Sequence, residues 1–266
     1  MQIVYTTHPI PEVLTKSVFL AGPSPRSKTE HSWRPDMIKC LEEAGYDGVI
    51  FCPEYAPEEQ YNDDISYTSV ADWEKECMDV ADIIIFWVDR DLKAGRYGLT
   101  TNLEYGEQVK SGKTLLGWSP ECDKYRALEQ RAKFHDAEVF QTGMYDLAKR
   151  AVERIGDGAE RTGGDRYVPI DIWRLPQFQQ WYQAHRNVGN ELRWAHVEWI
   201  FRVGPQKQFL FMFVLHAHVW IAAEDRIKHN EVVMSRPDSS CVVLLGGGLD
   251  LQENSMIKIC LGKDIR

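Results

Sequence analysis

The chain has little of what marks a secreted, membrane-spanning or nucleic-acid-coating protein. Its six cysteines (Cys40, Cys52, Cys77, Cys122, Cys241 and Cys260) include no CxxC pair and no regular spacing. Neither a zinc knuckle nor a disulfide framework is indicated, and scattered thiols suit a reducing cytoplasm, which is the expected location. The most apolar stretch, 209–223, contains His216 and His218 and falls short of the roughly 20 residues that cross a bilayer, so no membrane span is expected. The opening residues MQIVYTTHPIPEV lack the basic-then-apolar order of a secretory leader. Positive charge is scarce: 31 Lys and Arg against 40 Asp and Glu leave a net charge of −9. That balance argues against a general nucleic-acid groove, whose affinity comes from cations on phosphates, and favours a small-molecule partner. Gly246-Gly247-Gly248 lacks the Lys-Ser/Thr that would make it a phosphate loop and reads as a turn. His216 and His218 share one face of a strand without a visible third ligand, so no metal is expected. No cofactor is expected, and no internal repeat or low-complexity tract appears.

What is present is a chain long and apolar enough for one or two packed domains, with 266 residues of which 44% are hydrophobic. Its organising stretch is 82–106. Residues 82–88 are a run of β-branched and aromatic side chains, the pattern of a strand buried on both faces of a parallel sheet. Asp89, Arg90 and Asp91 follow, then a Gly-containing loop, then Thr100-Thr101-Asn102-Leu103-Glu104, which predicts a helix start. Ligands of open α/β sheets bind beyond the carboxyl ends of the strands, so this loop is where chemistry is expected.

Two readings of Glu104 are open on spacing alone. Thr101-x-x-Glu104 fits a capping box, in which both side chains satisfy unpaired N–H groups of a first turn. Alternatively, a carboxylate held ionised at neutral pH by the helix dipole is able to attack an electrophilic sugar carbon.

The surrounding segments alternate strand and helix. Residues 17–21 form a strand ended by Gly22-Pro23, and in the loop that follows Arg26 and Lys28 are placed to meet phosphate or hydroxyl groups. A helix from Ser32 to Gly45, a strand at 47–53, a loop at 54–67 and a helix at 70–80 carrying Trp73 and Glu74 lead into the central strand. Asp89 or Asp91 is a candidate to hold a ligand hydroxyl or to relay a proton. Asn102 offers both a donor and an acceptor. The strand at 113–118 ends at Gly117 and Ser119-Pro120, which reach the same edge and so are candidates to line the pocket. Helices at 121–133 and 144–155 flank a short strand at 137–141.

These residues predict an α/β fold, a flavodoxin-like or Rossmann-like parallel five-stranded sheet with helices on both faces, over residues 1–155. The polar, Gly-rich stretch 156–165 reads as a linker. Residues 166–266 change in composition and read as a smaller α+β region, with an aromatic helix around Phe178 and Trp181 and antiparallel strands at 197–203, 209–222 and 231–245.

Phe19-Leu20-Ala21-Gly22-Pro23, an acidic residue ahead of the central strand and Thr-Asn-Leu-Glu-Tyr-Gly after it come in the order found in nucleoside 2-deoxyribosyltransferases, and residues 16–155 resemble that family. The resemblance implies that Glu104 attacks the anomeric carbon of a deoxyribonucleoside, the base departs, and a second base or water takes the sugar. It also implies that Gly22, Pro23, Arg26, Glu74 and Asn102 lie around the substrate, with Glu74 standing where some members carry Asp. A homo-oligomer is implied by the resemblance alone. Residues 166–266 resemble the opening strands of a Nudix domain, chiefly through Arg226-Ile227-Lys228-His229-Asn230-Glu231-Val232-Val233 and Arg236-Pro237-Asp238. No stretch reads G-x5-E-x7-R-E-x-x-E-E-x-G, so pyrophosphate hydrolysis is not expected. Two functions therefore compete: transfer or hydrolysis at the N-glycosidic bond of a nucleoside or nucleotide, and a non-catalytic module that binds a nucleotide or ADP-ribose-like ligand.

Overall fold

The computed structural model describes residues 1–25, 30–57, 59, 66–207 and 209–235. Its elements run β1 (Gln2–Tyr5), β2 (Val13–Leu14), β3 (Ser17–Ala21), α1 (Arg34–Glu43), β4 (Val49–Cys52), α2 (Tyr67–Val80), β5 (Ile83–Val88), α3 (Leu99–Gln108), β6 (Thr114–Trp118), α4 (Arg126–Phe134), β7 (Glu138–Phe140) and α5 (Met144–Ile155). They continue with β8 (Arg161–Thr162), α6 (Ile170–Trp173), α7 (Pro176–Asn187), β9 (Glu191–Val203), β10 (Phe209–Ile221) and β11 (Arg226–Ser235).

The central sheet is parallel and has six strands rather than five, in the order β1-β4-β3-β5-β6-β7. The strand missed in the sequence is β1. It is four residues long, only Val4 in it is buried, and Pro9 and Pro11 follow closely, so it carries none of the apolar density that marks a central strand. By contrast, every residue of β3, β4, β5 and β6 is buried, as their unbroken apolar runs demand. Leaving β1 aside, the order is that of a doubly wound sheet, and the chain changes direction between β3 and β5. In sheets of this order ligands bind at the carboxyl edge of that switch point.

Alternation along the strands decides which helix meets which face. Val18, Leu20, Ile50, Ile83, Ile85, Trp87 and Leu115 pack on Met37 and Leu41 of α1 and on Leu147, Ala148, Ala151 and Ile155 of α5. Phe19, Ala21, Phe51, Ile84, Phe86, Val88, Leu116 and Trp118 point the other way, onto Cys77, Met78 and Val80 of α2, Tyr105 of α3, and Leu128 and Ala132 of α4. Glu74 and Glu104, on α2 and α3, are therefore carried on the same face.

Residues 156–165 hold more than their polar composition conveys. Arg161 is fully buried, with Nη1 2.6 Å from Asp82 Oδ1 and Nη2 2.7 Å from Oδ2. The same carboxylate accepts the N–H of Ile170 at 2.8 Å and both the N–H and hydroxyl of Ser17, at 3.0 and 3.1 Å. One buried anion thus ties together β3, β5, β8 and the start of α6.

After α7 the strands β9, β10 and β11 make an antiparallel sheet in the order β11-β10-β9, packing Leu192, Ala195, Val197, Phe213, Leu215, Ala217 and Val219 against Phe178 and Tyr182. The third strand begins earlier than the 231–245 reading, at Arg226, because an exposed turn closes β10 at Ile221. Residues 236–245, together with Gly246-Gly247-Gly248, lie outside the described residues. Met1–Ser235 forms one compact unit. Among the described residues no helix is long and apolar enough to cross a membrane, and no group of three His, Cys, Asp or Glu side chains has the arrangement to hold a metal ion. His216 has its Nε2 2.6 Å from the carbonyl of His229, and His218 packs against Trp194 with ring centroids 4.6 Å apart.

Candidate active site

At that edge stands a buried arginine with no role assigned from the sequence. Arg34 opens α1 and is 1% exposed. Its Nε donates to the Leu20 carbonyl at 3.2 Å and Nη2 to the Gly22 carbonyl at 2.8 Å, while Nη1 meets the Ser24 hydroxyl at 3.2 Å and Glu54 Oε1 at 2.7 Å. Ser32 adds a second donor to the same Glu54 oxygen at 2.6 Å and accepts the Arg34 N–H at 3.1 Å. The ends of β3 and β4 are thereby fastened to one guanidinium, whose planar fork suits several fixed acceptors at once. A signal existed. Arg34, Met37 and Leu41 fall on one helical face, and a cation at a core-facing position needs internal partners.

Gly22 and Pro23 serve this arrangement. A Cβ at Gly22 would stand 2.2 Å from the Trp87 carbonyl oxygen and 2.8 Å from the Trp33 ring, so only glycine lets the chain pass there. Trp33 Nε1 donates to the Pro23 carbonyl at 3.0 Å, and the Arg34 guanidinium lies 4.8 Å from the centre of the Trp33 ring. Pro23 also approaches the start of α3, where a Cβ at Gly98 would be 2.9 Å from its Cγ. Arg26 lies outside the described residues.

The capping-box reading of Glu104 does not hold. Helix α3 begins at Leu99 behind Gly98, a left-handed residue, with no side-chain cap, so Thr101 is already inside the first turn and buried. Glu104 lies in the second turn and is partly buried. The expectation that the helix dipole keeps it ionised at neutral pH is also corrected, because burial pushes its carboxyl up to about 7, helped by the Glu74 charge, opposed by Arg34, and raised further by Glu107. Desolvation outweighs the dipole, whose influence falls off beyond the first turn. Glu74 is raised as well, by burial first, with Arg34 pulling the other way. Two carboxyls and one guanidinium thus share a single electrostatic neighbourhood, in which one acid ionises more readily than two.

The remaining predicted residues divide. Asn102 is exposed at the helix start, and its Oδ1 accepts from Arg90 Nη2 at 2.5 Å. Arg90, 4% exposed, is itself held by the Lys124 carbonyl at 3.1 Å. With that bond on its oxygen, the Asn102 amide keeps its N–H groups as donors. Asp89 pairs with Arg96 at 3.2 Å, and Arg96 lies 3.0 Å from Glu30. Asp91 closes its own loop, accepting from the Lys93 and Ala94 N–H groups at 2.9 and 3.0 Å, bonds that hold its carboxyl below the usual range. It is a turn residue. Both aspartates line a cleft of about 260 Å³ with Arg90, Lys93, Arg96, Glu121 and Asp123. Gly117 is not at the pocket: it is buried inside β6, where a Cβ would meet Leu147 Cδ1 at 2.4 Å and the Trp87 ring at 3.0 Å. Its lack of a side chain serves packing of α5.

No curated protein matches the chain. The Nudix resemblance of residues 166–266 finds no support, since the family match ends at residue 122. Residues 15–122, the segment that carries Gly22, Arg34, Glu54, Glu74, Asn102 and Glu104, match the family described as nucleoside 2-deoxyribosyltransferase like, which associates this part of the chain with nucleoside glycosyl transfer.

Proposed function

We propose that the protein cleaves the N-glycosidic bond of a nucleoside or nucleotide, passing the sugar to water or to a second base, with Glu104 as nucleophile. The observation that carries this reading is the pair Glu74 and Glu104, two partly buried carboxyls under one Arg34 charge, within the segment that matches the glycosyl-transfer family. Ionised Glu104 attacks the anomeric carbon as the carbon–nitrogen bond breaks, and the electron pair leaves with the base. The departing base takes its proton from water, because the Glu74 charge that raises Glu104 leaves Glu74 itself ionised. Water or a new base then attacks the anomeric carbon of the glycosyl ester, giving up its proton to solvent and freeing the Glu104 carboxylate. The covalent ester is the intermediate that retaining glycosidases use. Asn102, with its amide N–H groups as donors, suits an acceptor group on the sugar.

Incubation with a panel of nucleosides and nucleotides, followed by mass spectrometry, tests the reading through release of free base. A 2-fluoro-2-deoxy sugar analogue, which slows breakdown of the ester, should add its sugar mass to the peptide containing Glu104. Thermal protection by a nucleotide with no base released from any panel member would favour the binding-module function instead.

A further inference from the structure

We infer that the cavity between the amino edge of the parallel sheet and strand β9 is a binding site for one phosphate group, held by Arg154, Arg202 and Lys110. It stands at the opposite end of the strands from Gly22 and is independent of the reaction proposed above.

Gly112 just before β6, Glu138 at the start of β7, Arg154 in the last turn of α5, and Ile200 and Arg202 of β9 line a cavity of about 40 Å³. That is room for about three groups of water size, which suits one phosphate group and is too little for a nucleoside. Gly112 brings the walls together: a Cβ there would stand 1.9 Å from Ile200 Cδ1, and its carbonyl accepts from Arg154 Nη2 at 2.8 Å. Arg154 and Arg202 both turn Nη2 to Asp171 Oδ2, at 2.6 Å for Arg154. The Nε of each is buried and, among the described residues, has no acceptor. Their side chains are only 6% and 14% exposed, so bulk solvent does not meet these donors. The carboxylates at the cavity are engaged elsewhere. Glu138 Oε2 accepts from Arg150 Nε at 2.6 Å, its Oε1 lies 3.5 Å from Arg154 Nη1, and Asp136 pairs with Lys207. Lys110 adds an exposed cation at the rim. Among the described residues, Lys110, Arg154, Arg202 and Lys207 thus outnumber Asp136, Glu138 and the Asp171 behind them. Unmet donors beside an excess of positive charge call for an anion. Donors arriving from α5, β9 and the segment after α3 suit the several oxygens of a tetrahedral phosphate better than the two of a carboxylate.

Calorimetric titration of the full chain with inorganic phosphate, against chloride at equal ionic strength, should show saturable binding of one phosphate per chain and a matching rise in Tm. Arg202→Lys keeps a cation for Asp171 but loses the Nε donor. Its phosphate-free Tm should stay near the wild type while the Kd for phosphate rises about tenfold or more, the scale of one charge-assisted hydrogen bond. Lys110→Ala changes an exposed side chain and should weaken phosphate about threefold with the phosphate-free Tm unmoved. That variant keeps the inference open to refutation should Arg202→Lys not fold. Glycerol 3-phosphate separates the sources of the group: tighter binding than inorganic phosphate means that it is carried on an organic molecule, and equal or weaker binding that the free ion is the ligand. Phosphate binding no stronger than chloride would overturn the inference. So would binding that both variants leave unchanged, or that Lys93→Ala, in the cleft beside Asp89, weakens in their place.

Discussion

Replacing Glu104 by Gln should make the protein more stable and nearly inactive, and the gain should depend on pH. The Glu104 carboxyl climbs from its ordinary 4.5 to about 7. Each unit is worth about 1.4 kcal/mol, so the folded state opposes the ionised form by about 3 kcal/mol, and solvent reaching the exposed part of the side chain reduces this to about 2. The sign follows from linkage. A carboxyl whose folded pKa lies above its unfolded one contributes its full stability below pH 4.5 and loses it as pH rises through about 7. Gln has the same shape as the protonated acid and does not titrate. Urea unfolding of both proteins should thus agree within about 0.5 kcal/mol near pH 4.5 and separate by about 2 kcal/mol in favour of Gln at pH 8.5. A difference that stays flat across that range would refute the reasoning, because it would mean that Glu104 ionises in the folded state as freely as in the unfolded one. Base release in the same variant should drop by several orders of magnitude, roughly as expected when a covalent nucleophile is lost.

Arg161→Met should cost about 3–5 kcal/mol in urea unfolding, since it leaves the fully buried Asp82 carboxylate without its cation. For the same reason a fragment ending at Ile155 should unfold without cooperativity, whereas retained cooperative melting would show that Asp82 finds another partner. Gly117→Ala should lower stability by about 1–3 kcal/mol, through the 2.4 Å clash with Leu147, with KM of the surviving fold unchanged; a changed KM would return Gly117 to the pocket. Wild-type base release should rise through about pH 7 as Glu104 ionises. Asp91→Ala should leave base release within about threefold of wild type, a change below 1 kcal/mol in the barrier, and a larger loss would restore Asp91 to the chemistry.

The sequence by itself determined the parallel sheet and its helices. Unbroken apolar runs such as Ile83–Val88 can be buried on both faces only between two helical layers, and the helical periods of α1, α2 and α5 supply those layers. It also determined that Gly22, Glu74, Asn102 and Glu104 fall near strand ends or on the helices beside them. What only the tertiary structure decided concerns charge in a desolvated place. Thr101-x-x-Glu104 has capping-box spacing, but whether it caps depends on where α3 starts, and Pro23 packing against Gly98 sets that start two residues upstream of Thr101, at Leu99. Asp89 and Asp91 are equivalent as letters, yet one meets Arg96 and the other closes its turn. Arg34 and Arg161 have no assigned partners in the sequence, and only where the strands around them exclude water is each surrounded by acceptors distant in the chain. Periodicity is local and survives in the sequence; the ionisation of a carboxyl is fixed by groups brought together from α1, α2 and α3, and that meeting exists only in the folded protein.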